Sequence, residues 1–403
     1  MLLKAEIKQT IDTQQSRLLR QKTYSRQILN HIKLLPNFAL VVSGIRRSGK
    51  STLLSQLIEK QDKNHYLFLN FDTPQLFNFE FSDFALLDEI IAECPEIQTL
   101  YFDEIQIIEG WELYVRGKLD QGYQVVVTGS NASLLSRELG TKLTGRHISR
   151  ELFPFSFLEF CEFLGKEKNA DTVADYLHLG GFPQYLQLNE DEILNALIND
   201  IIYRDIIVRF GIRDERSMKG LLLFLAGNVG NLITAGKLKQ ILNVKSTATV
   251  QEYLSHLEQA YVISLLPKFS YSYKIQLVNP RKVYFIDNGL QRVISPSFSQ
   301  DRRRKLENAV FWALRREFSE LYYYNENNKE CDFVVCKNNS PLQLIQVCWQ
   351  LTAENLPRER DGLIDAMNFF HFEQGTIVTF DQEDKMIVEG KNINIVPFWK
   401  LFG

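Results

Sequence analysis

A chain of 403 residues that is 45% hydrophobic and 24% charged has ordinary globular composition, which excludes large-scale disorder and leaves room for two or three domains with cores of their own. The formal net charge of −3 and a pI near 6.2 exclude a generally basic surface, so any nucleic-acid contact has to be a local patch. The five cysteines, Cys94, Cys161, Cys331, Cys336 and Cys348, lack C-x-x-C spacing and read as reduced thiols.

The first stretch, "MLLKAEIKQTIDTQQSRLLRQ", reads as a polar amphipathic helix without the apolar core of a secretory signal. The most apolar later stretch, "GLLLFLAGNVGNLI", is interrupted by Gly227, Asn228, Gly230 and Asn231, well short of the roughly 20 residues a membrane span requires. The expectation is a cytoplasmic protein with no membrane partner.

"FALVVSG" is a short apolar run suited to a strand buried on both faces. Leu53, Leu54, Leu57 and Ile58 follow at helical spacing. Between them "GIRRSGKS", Gly44 to Ser51, fits the phosphate-loop pattern G-x-x-x-x-G-K-[ST] in its strand-loop-helix context. Gly44 and Gly49 allow the tight turn that brings the amides of Ile45, Arg46, Arg47 and Ser48 against phosphates, with the helix N-terminus behind them. Lys50 is expected to reach the β- and γ-phosphates of ATP. Ser51 is expected to give its hydroxyl to Mg²⁺, with Thr52 the less suited neighbour. Arg46 and Arg47 either make the cleft strongly positive or project from it toward a partner.

"HYLFLNFD" supplies a second strand. In "TLYFDEIQ" an apolar strand ends in two acids, a Walker B pattern: Asp103 would hold the Mg²⁺ shell and Glu104 would polarise the attacking water. A strand in "QVVVTGSNASLL" ends in a polar cluster. Ser130, with Asn131 behind it, is either a γ-phosphate sensor or part of a turn in which Asn131 or Ser133 caps the next helix. "HISRELFPF" completes five buried strands alternating with helices. Before it, Arg146 either neutralises charge at the γ-phosphate or forms a surface salt bridge.

These segments, together with "TGRHISRELFPFSFLEF", "GGFPQYL", "YRDIIVRFGIRD" and "KVYFIDNGL", resemble the bacterial and archaeal predicted ATPases of the AAA+ superfamily that carry a C-terminal domain of unknown function. The resemblance covers nearly the whole chain. It implies an AAA+-type core, a short helical segment, a winged-helix domain and a terminal module similar to the restriction-endonuclease fold. The expected fold class is α/β: a P-loop αβα sandwich with a parallel sheet, then a helical and winged-helix region, then a small α/β endonuclease-like domain. The expected divisions are an N-terminal helical segment at 1–35, the ATPase core at 36–165, a helical lid at 166–220, a winged helix at 221–295 and the nuclease-like domain at 296–403.

In the lid, Gly180, Gly181 and Pro183 mark either a hinge-like turn or a simple loop. Next come a capped helix in "TAGKLKQIL", a turn in "NVKSTA", a longer helix in "TVQEYLSHLEQAYVI" and two strands in "VISLLPKF" and "KVYFID". A basic and aromatic loop with Lys268, Lys274, Arg281 and Lys282 separates these strands. Such a domain can place its second helix in a major groove. Its outer face, however, reads as Gln251, Glu252, Ser255, Glu258 and Gln259, whose two glutamates repel phosphate.

"DRRRKLENAVFWALRREF" opens the last domain with Arg302, Arg303, Arg304 and Lys305, read as a solvated face. Glu307 and Asp332 then follow the layout of a metal-dependent nuclease, but Gln346 replaces its third acid and Cys348 its lysine. The module therefore reads as a scaffold without cleavage activity. A metal reading of Cys331, Cys336 and Cys348 is set aside because residues five apart in the strand "CDFVVC" point to opposite faces. The functional expectation is an ATPase using ATP and Mg²⁺ to reposition its C-terminal domains on double-stranded DNA. The alternative is a nucleotide-gated switch that binds a protein partner with slow turnover. Oligomerisation, and with it a borrowed arginine, stays open.

Overall fold

The five apolar runs of the first half become β1 (Ala39–Ser43), β2 (Tyr66–Asn70), β3 (Thr99–Asp103), β4 (Gln124–Gly129) and β5 (His147–Glu151). The computed structural model describes residues 2–18, 20, 23–61, 65–130, 142–295 and 301–403, and contacts divide the chain into units Met1–Phe153 and Pro154–Gly403. In the first unit all five strands are parallel in the order β2-β3-β4-β1-β5.

Alternation along the strands loads both faces of this sheet. Val41, Leu69, Phe102 and Val127 pack with α3 (Phe84–Ala92) and α4 (Trp111–Asp120), while Leu40, Val42, Phe68 and Val126 pack with α2 (Lys50–Ile58). Each fully buried Leu or Phe among them contributes about 1.5–3 kcal/mol. The result is the αβα sandwich expected from the sequence.

The N-terminal helix α1 (Lys4–Leu18) is part of this core rather than a segment apart, with Ile7 and Ile11 buried in it. It also closes the edge of the sheet. Gln14 accepts from Asn70 N at 2.7 Å and donates to Asn70 O at 3.0 Å, and Gln15 accepts from Phe68 N at 3.1 Å, so side-chain amides satisfy the free edge of β2. Only β5, at the other edge, is half-buried along its length.

The second unit begins with helices Phe157–Leu164, Ala170–Leu179, Pro183–Leu188 and Asp191–Asp200, the last continuing as π-helix Ile201–Val208. Gly180 and Gly181 form a packed joint, not a hinge. A Cβ on Gly180 would lie 2.1 Å from Asp287 Oδ1, and one on Gly181 2.4 Å from Phe155 O. Gly181 N donates to Asp287 Oδ2 at 2.6 Å, and the same carboxylate caps helix Asn288–Ile294 through Leu290 N at 2.9 Å. Burial pushes the Asp287 carboxyl up to about 6 against these N–H groups.

Helix Glu215–Ala226, β6 (Leu232–Ile233), helices Ala235–Leu242 and Thr247–Gln259, β7 (Ile263–Leu266) and β8 (Arg281–Phe285) follow, with antiparallel strand order β6-β8-β7. Glu258, expected on the outer helix face, instead turns inward to accept from Leu265 N at 2.9 Å. The expected basic loop contains a helix, Tyr273–Val278, and its Lys282 is buried in β8.

Strands β9 (Glu320–Glu326), β10 (Lys329–Lys337), β11 (Ser340–Val347), β12 (Gln374–Thr379), β13 (Asp384–Val388) and β14 (Lys391–Pro397) form a mixed sheet in the order β13-β14-β12-β11-β10-β9. Helix Leu356–Phe370 connects the parallel pair β11 and β12. Cys331 and Cys336 share one apolar cluster with Cys348, contrary to the two-face expectation, because β10 carries one extra residue against β9 between Cys331 and Val334, which flips the alternation. Nor is Arg302–Lys305 a simple solvated face: Lys305 is buried and Arg304 donates to Gly227 O at 2.7 Å. Among the described residues no helix is long and apolar enough to cross a membrane.

Candidate nucleotide-binding site

The Gly44–Gly49 loop leaves the buried strand β1 and turns directly into α2. Gly44 has φ 154°, and a Cβ there would sit 2.1 Å from Leu152 O, so only glycine lets the loop pass the end of β5. Gly49 has φ 99° and precedes the first turn of α2, while Arg47 takes a left-handed φ of 61°. Ile45 and Ser48 are fully buried and anchor the loop from below.

Lys50 Nζ lies along this loop, donating to Gly44 O at 2.9 Å and Ile45 O at 3.2 Å, with Glu104 Oε1 at 3.7 Å. Ser51 Oγ donates to Asp103 Oδ2 at 2.7 Å, although 52 residues separate them. The sheet explains the meeting: Thr128 on β4 lies between the loop strand and β3, and its hydroxyl donates to Asp103 Oδ1. Asn70, ending β2, donates to Asp103 Oδ2 at 2.7 Å.

Burial, and next the neighbouring Glu104 charge, push the Asp103 carboxyl above its ordinary range, against the hydroxyls of Thr128 and Ser51 and the ammonium of Lys50. Glu104 behaves oppositely. Burial works to raise it, but Lys50, Gln106, Arg46 and Ser130 together hold it below the usual carboxylate range. Its left-handed backbone, φ 53° and ψ 36°, sits at the end of β3, and Thr128 Oγ1 accepts its N–H at 3.2 Å. Asp103 is thus committed to hydrogen bonds, and Glu104 is an ionised carboxylate beside Lys50.

The other sequence candidates divide. Ser130 is buried next to Glu104 at the loop edge of β4. Arg46 Nη1 lies 3.8 Å from Asp72 Oδ2. Thr52 stands half-buried one position on from Ser51, about 100° around the helix. Asn131 and Ser133 lie outside the described residues. Arg146 is not brought to the site: its carbonyl accepts from Ala39 N at the start of β1, so it lies at the opposite sheet edge, about 16 Å of strand from the loop. There Arg146 Nη1 pairs with Asp120 Oδ1 at 2.7 Å, the salt-bridge alternative.

Sequence reading missed Arg26, Asn70 and Thr128. Asn70 and Thr128 had a signal, a polar residue ending an apolar strand at the sheet edge that carries the loop. Arg26 had none. Its buried guanidinium donates to Ser48 O at 2.7 Å and Phe153 O at 2.8 Å, tying the phosphate loop to the chain beyond β5.

In the second unit the expected acids also meet. Asp332 Oδ2 accepts from Val347 N at 2.9 Å, and Gln346 bridges Asp332 N at 3.1 Å to the buried Glu359 at 2.6 Å. A lysine that the sequence pattern did not point to joins these acids: Lys282 Nζ lies 2.7 Å from Asp332 Oδ1 and 3.3 Å from Glu307 Oε1. Burial and then Asp332 push Glu307 up to about 7, against the pull of Lys282.

Residues 36–161 match the family described as an AAA domain, a nucleotide-binding ATPase module, and residues 170–301 match a domain of unknown function, DUF8612. An uncharacterized protein of Methanocaldococcus jannaschii is 34% identical over 408 residues, covering 94% of this chain and 91% of its own. One of Haemophilus influenzae is 30% identical over 387 residues, covering 91% and 94%. Among solved structures, the replication initiator DnaA bound to AMPPCP and single-stranded DNA aligns with TM-score 0.30 and 14% identity over 55% of this chain and 82% of that one. Cdc6p from Pyrobaculum aerophilum aligns with TM-score 0.27 and 15% identity over 70% and 92%.

Proposed function

Since the chain belongs to the family of the M. jannaschii and H. influenzae proteins and carries an AAA domain, we propose that it binds and hydrolyses ATP at the Gly44–Ser51 loop, with Asp103 and Glu104 completing the site. The observation that carries this reading is the convergence of Lys50, Ser51, Asp103 and Glu104 at one sheet edge, with Ser51 Oγ 2.7 Å from Asp103 Oδ2. Two hard oxygen donors side by side suit Mg²⁺, so Ser51 and Asp103 are the residues to hold it. Mg²⁺, when bound, supplies charge neutralisation at the β- and γ-phosphate oxygens.

The loop amides and the α2 N-terminus receive the phosphates, and the Lys50 ammonium turns from the Gly44 and Ile45 carbonyls to the β- and γ-oxygens. Glu104, kept ionised by Lys50 and Arg46, orients the attacking water. Ser130, beside Glu104, is positioned to sense the γ-phosphate. Phosphate release at background level in Lys50→Ala and Glu104→Gln, with ATP still bound by Glu104→Gln, is the expected result. Wild-type protein that binds ATP without turnover overturns the hydrolysis reading.

The second unit is the effector of a cytoplasmic machine in this reading. Its order of helix, β6, two helices, β7 and β8, with strands arranged β6-β8-β7, supports a winged helix, and the six-stranded mixed sheet supports a nuclease-like scaffold, which this reading takes to lack cleavage activity. Double-stranded DNA is the partner of this reading. With Glu258 turned inward, the outer face of Thr247–Gln259 has one fewer charge to repel phosphate. Affinity for a duplex that falls steeply with salt is expected; absence of binding at low salt refutes it. One observation favours a protein partner instead: Tyr271, Tyr273 and Val278 are 73–78% exposed on the segment between β7 and β8. Loss of a captured protein on Tyr273→Ser, with duplex affinity unchanged, would decide for that reading.

A further inference from the structure

Lys282 is the least expected charge in the chain. It lies in β8 and is 2% exposed, yet its three donors meet three carboxylates from two other elements: Glu330 Oε1 at 2.6 Å, Asp332 Oδ1 at 2.7 Å and Glu307 Oε1 at 3.3 Å. Glu307 and Asp332 are themselves buried, and Tyr284 donates to Glu307 Oε1 at 2.8 Å. The Gly230 backbone presses on Glu307, where a Cβ would lie 3.0 Å from both carboxylate oxygens. The cluster is not sealed. It borders a cleft of about 510 Å³ that Arg303, Asn231 and Thr234 also line.

Buried carboxylates are held by a cation, by N–H and O–H donors or by a proton, and here a cation stands among them. A metal-dependent nuclease layout implies that this cation is a divalent metal, but these residues do not fit one. The Lys282 nitrogen already stands at hydrogen-bond distance, 2.6–3.3 Å, from one oxygen of each carboxylate, so an ion drawing those oxygens in to about 2.0–2.6 Å would overlap the ammonium. The point on which the three carboxylates converge is filled by the ammonium itself. Among the described residues no group of three His, Cys, Asp or Glu is arranged to hold a metal ion.

We propose that Lys282 is the resident cation of this cleft: its ammonium occupies the place between Glu307, Glu330 and Asp332 that a divalent ion would take. While it stays there the cluster binds no metal, and replacing it with a neutral side chain creates a divalent-cation site. This rests on the carboxylate–lysine geometry and holds whether or not the first unit hydrolyses ATP.

The test counts Mn²⁺ bound to nucleotide-free, full-length protein by electron paramagnetic resonance, in wild type, Asp332→Asn, Lys282→Met and Lys282→Met/Asp332→Asn. Wild type and Asp332→Asn are expected to bind equally, because the nucleotide site is common to both. Lys282→Met is expected to gain about one Mn²⁺ and the double variant to lose it. Thermal melting gives a second reading. Leaving the carboxylates without their cation lowers the midpoint of Lys282→Met by about 10 °C, and millimolar Mn²⁺ or Ca²⁺ restores much of it while leaving wild type unchanged. A folded Lys282→Met that gains no Mn²⁺ overturns the proposal. So does a wild-type Mn²⁺ count that Asp332→Asn lowers, and this comparison decides even if Lys282→Met does not fold.

Discussion

Thr128 is the residue through which the two halves of the candidate ATP site are joined, and Thr128→Val isolates that role. The hydroxyl donates to Asp103 Oδ1 and accepts the Glu104 N–H at 3.2 Å, and the side chain is fully buried. Valine keeps the shape and removes both bonds. A lost hydrogen bond to a buried charged group costs about 1.5–3 kcal/mol, which for a unit of this size lowers the melting midpoint by about 3–10 °C. Stability alone does not separate a structural from a functional role, so the pH profile of kcat/KM is the deciding assay. The Thr128 hydroxyl holds the Asp103 carboxyl down, against burial and Glu104, which push it up. Removing the hydroxyl raises Asp103 further, and a protonated Asp103 cannot hold Mg²⁺. The acid limb of the profile is therefore expected to move to higher pH, with turnover down about 10- to 100-fold as Asp103 and Glu104 lose their alignment. Thr128→Ser should restore both. An unmoved acid limb in a Thr128→Val protein whose midpoint has fallen refutes the reasoning.

Arg146→Ala is expected to change phosphate release by less than about twofold, and the exposed pair with Asp120 contributes only about 0–1 kcal/mol; a large loss of turnover that reappears on mixing with an intact second copy would instead mark an arginine lent between subunits. Asp287→Ala removes both a helix cap and the acceptor for Gly181 N, and should destabilise the protein by about 2–4 kcal/mol in calorimetry. Gly181→Ala drives a Cβ to 2.4 Å from Phe155 O and should be at least as damaging; a midpoint within 2 °C of wild type would mean that the joint yields.

The first unit was legible because its chemistry is local. Lys50 and Ser51 belong to one helix N-terminus, Asp103 and Glu104 to one strand end, and parallel strands deliver such ends to a common edge. Arg146, left open between the γ-phosphate and a surface salt bridge, could have been decided by the same topology: it precedes β5, and residues before a parallel strand lie at the end of the sheet away from the loop. Arg26 could not be read at all. Its partners are carbonyls of Ser48 and Phe153, and backbone acceptors leave no signature in side-chain identity.

The second unit resisted reading because its charges are matched across elements distant in sequence. Lys282 looked like one of several basic loop residues, and Glu258 like a solvated helix acid, because composition records that a charge exists and not where its counter-charge comes from. A lone lysine buried to 2% would surrender its proton, so its charge depends on carboxylates contributed 25 and 50 residues later by Glu307 and Asp332. The same pairing revises the argument for an inactive nuclease-like module. On the proposal of a resident lysine, Gln346 and Cys348 are not what would close the site to a metal, since an ammonium and further acids, Glu330 and Glu359, stand there. On that proposal it would be closed by the ammonium standing between the carboxylates, where a catalytic lysine would stand beside the ion and leave that place open.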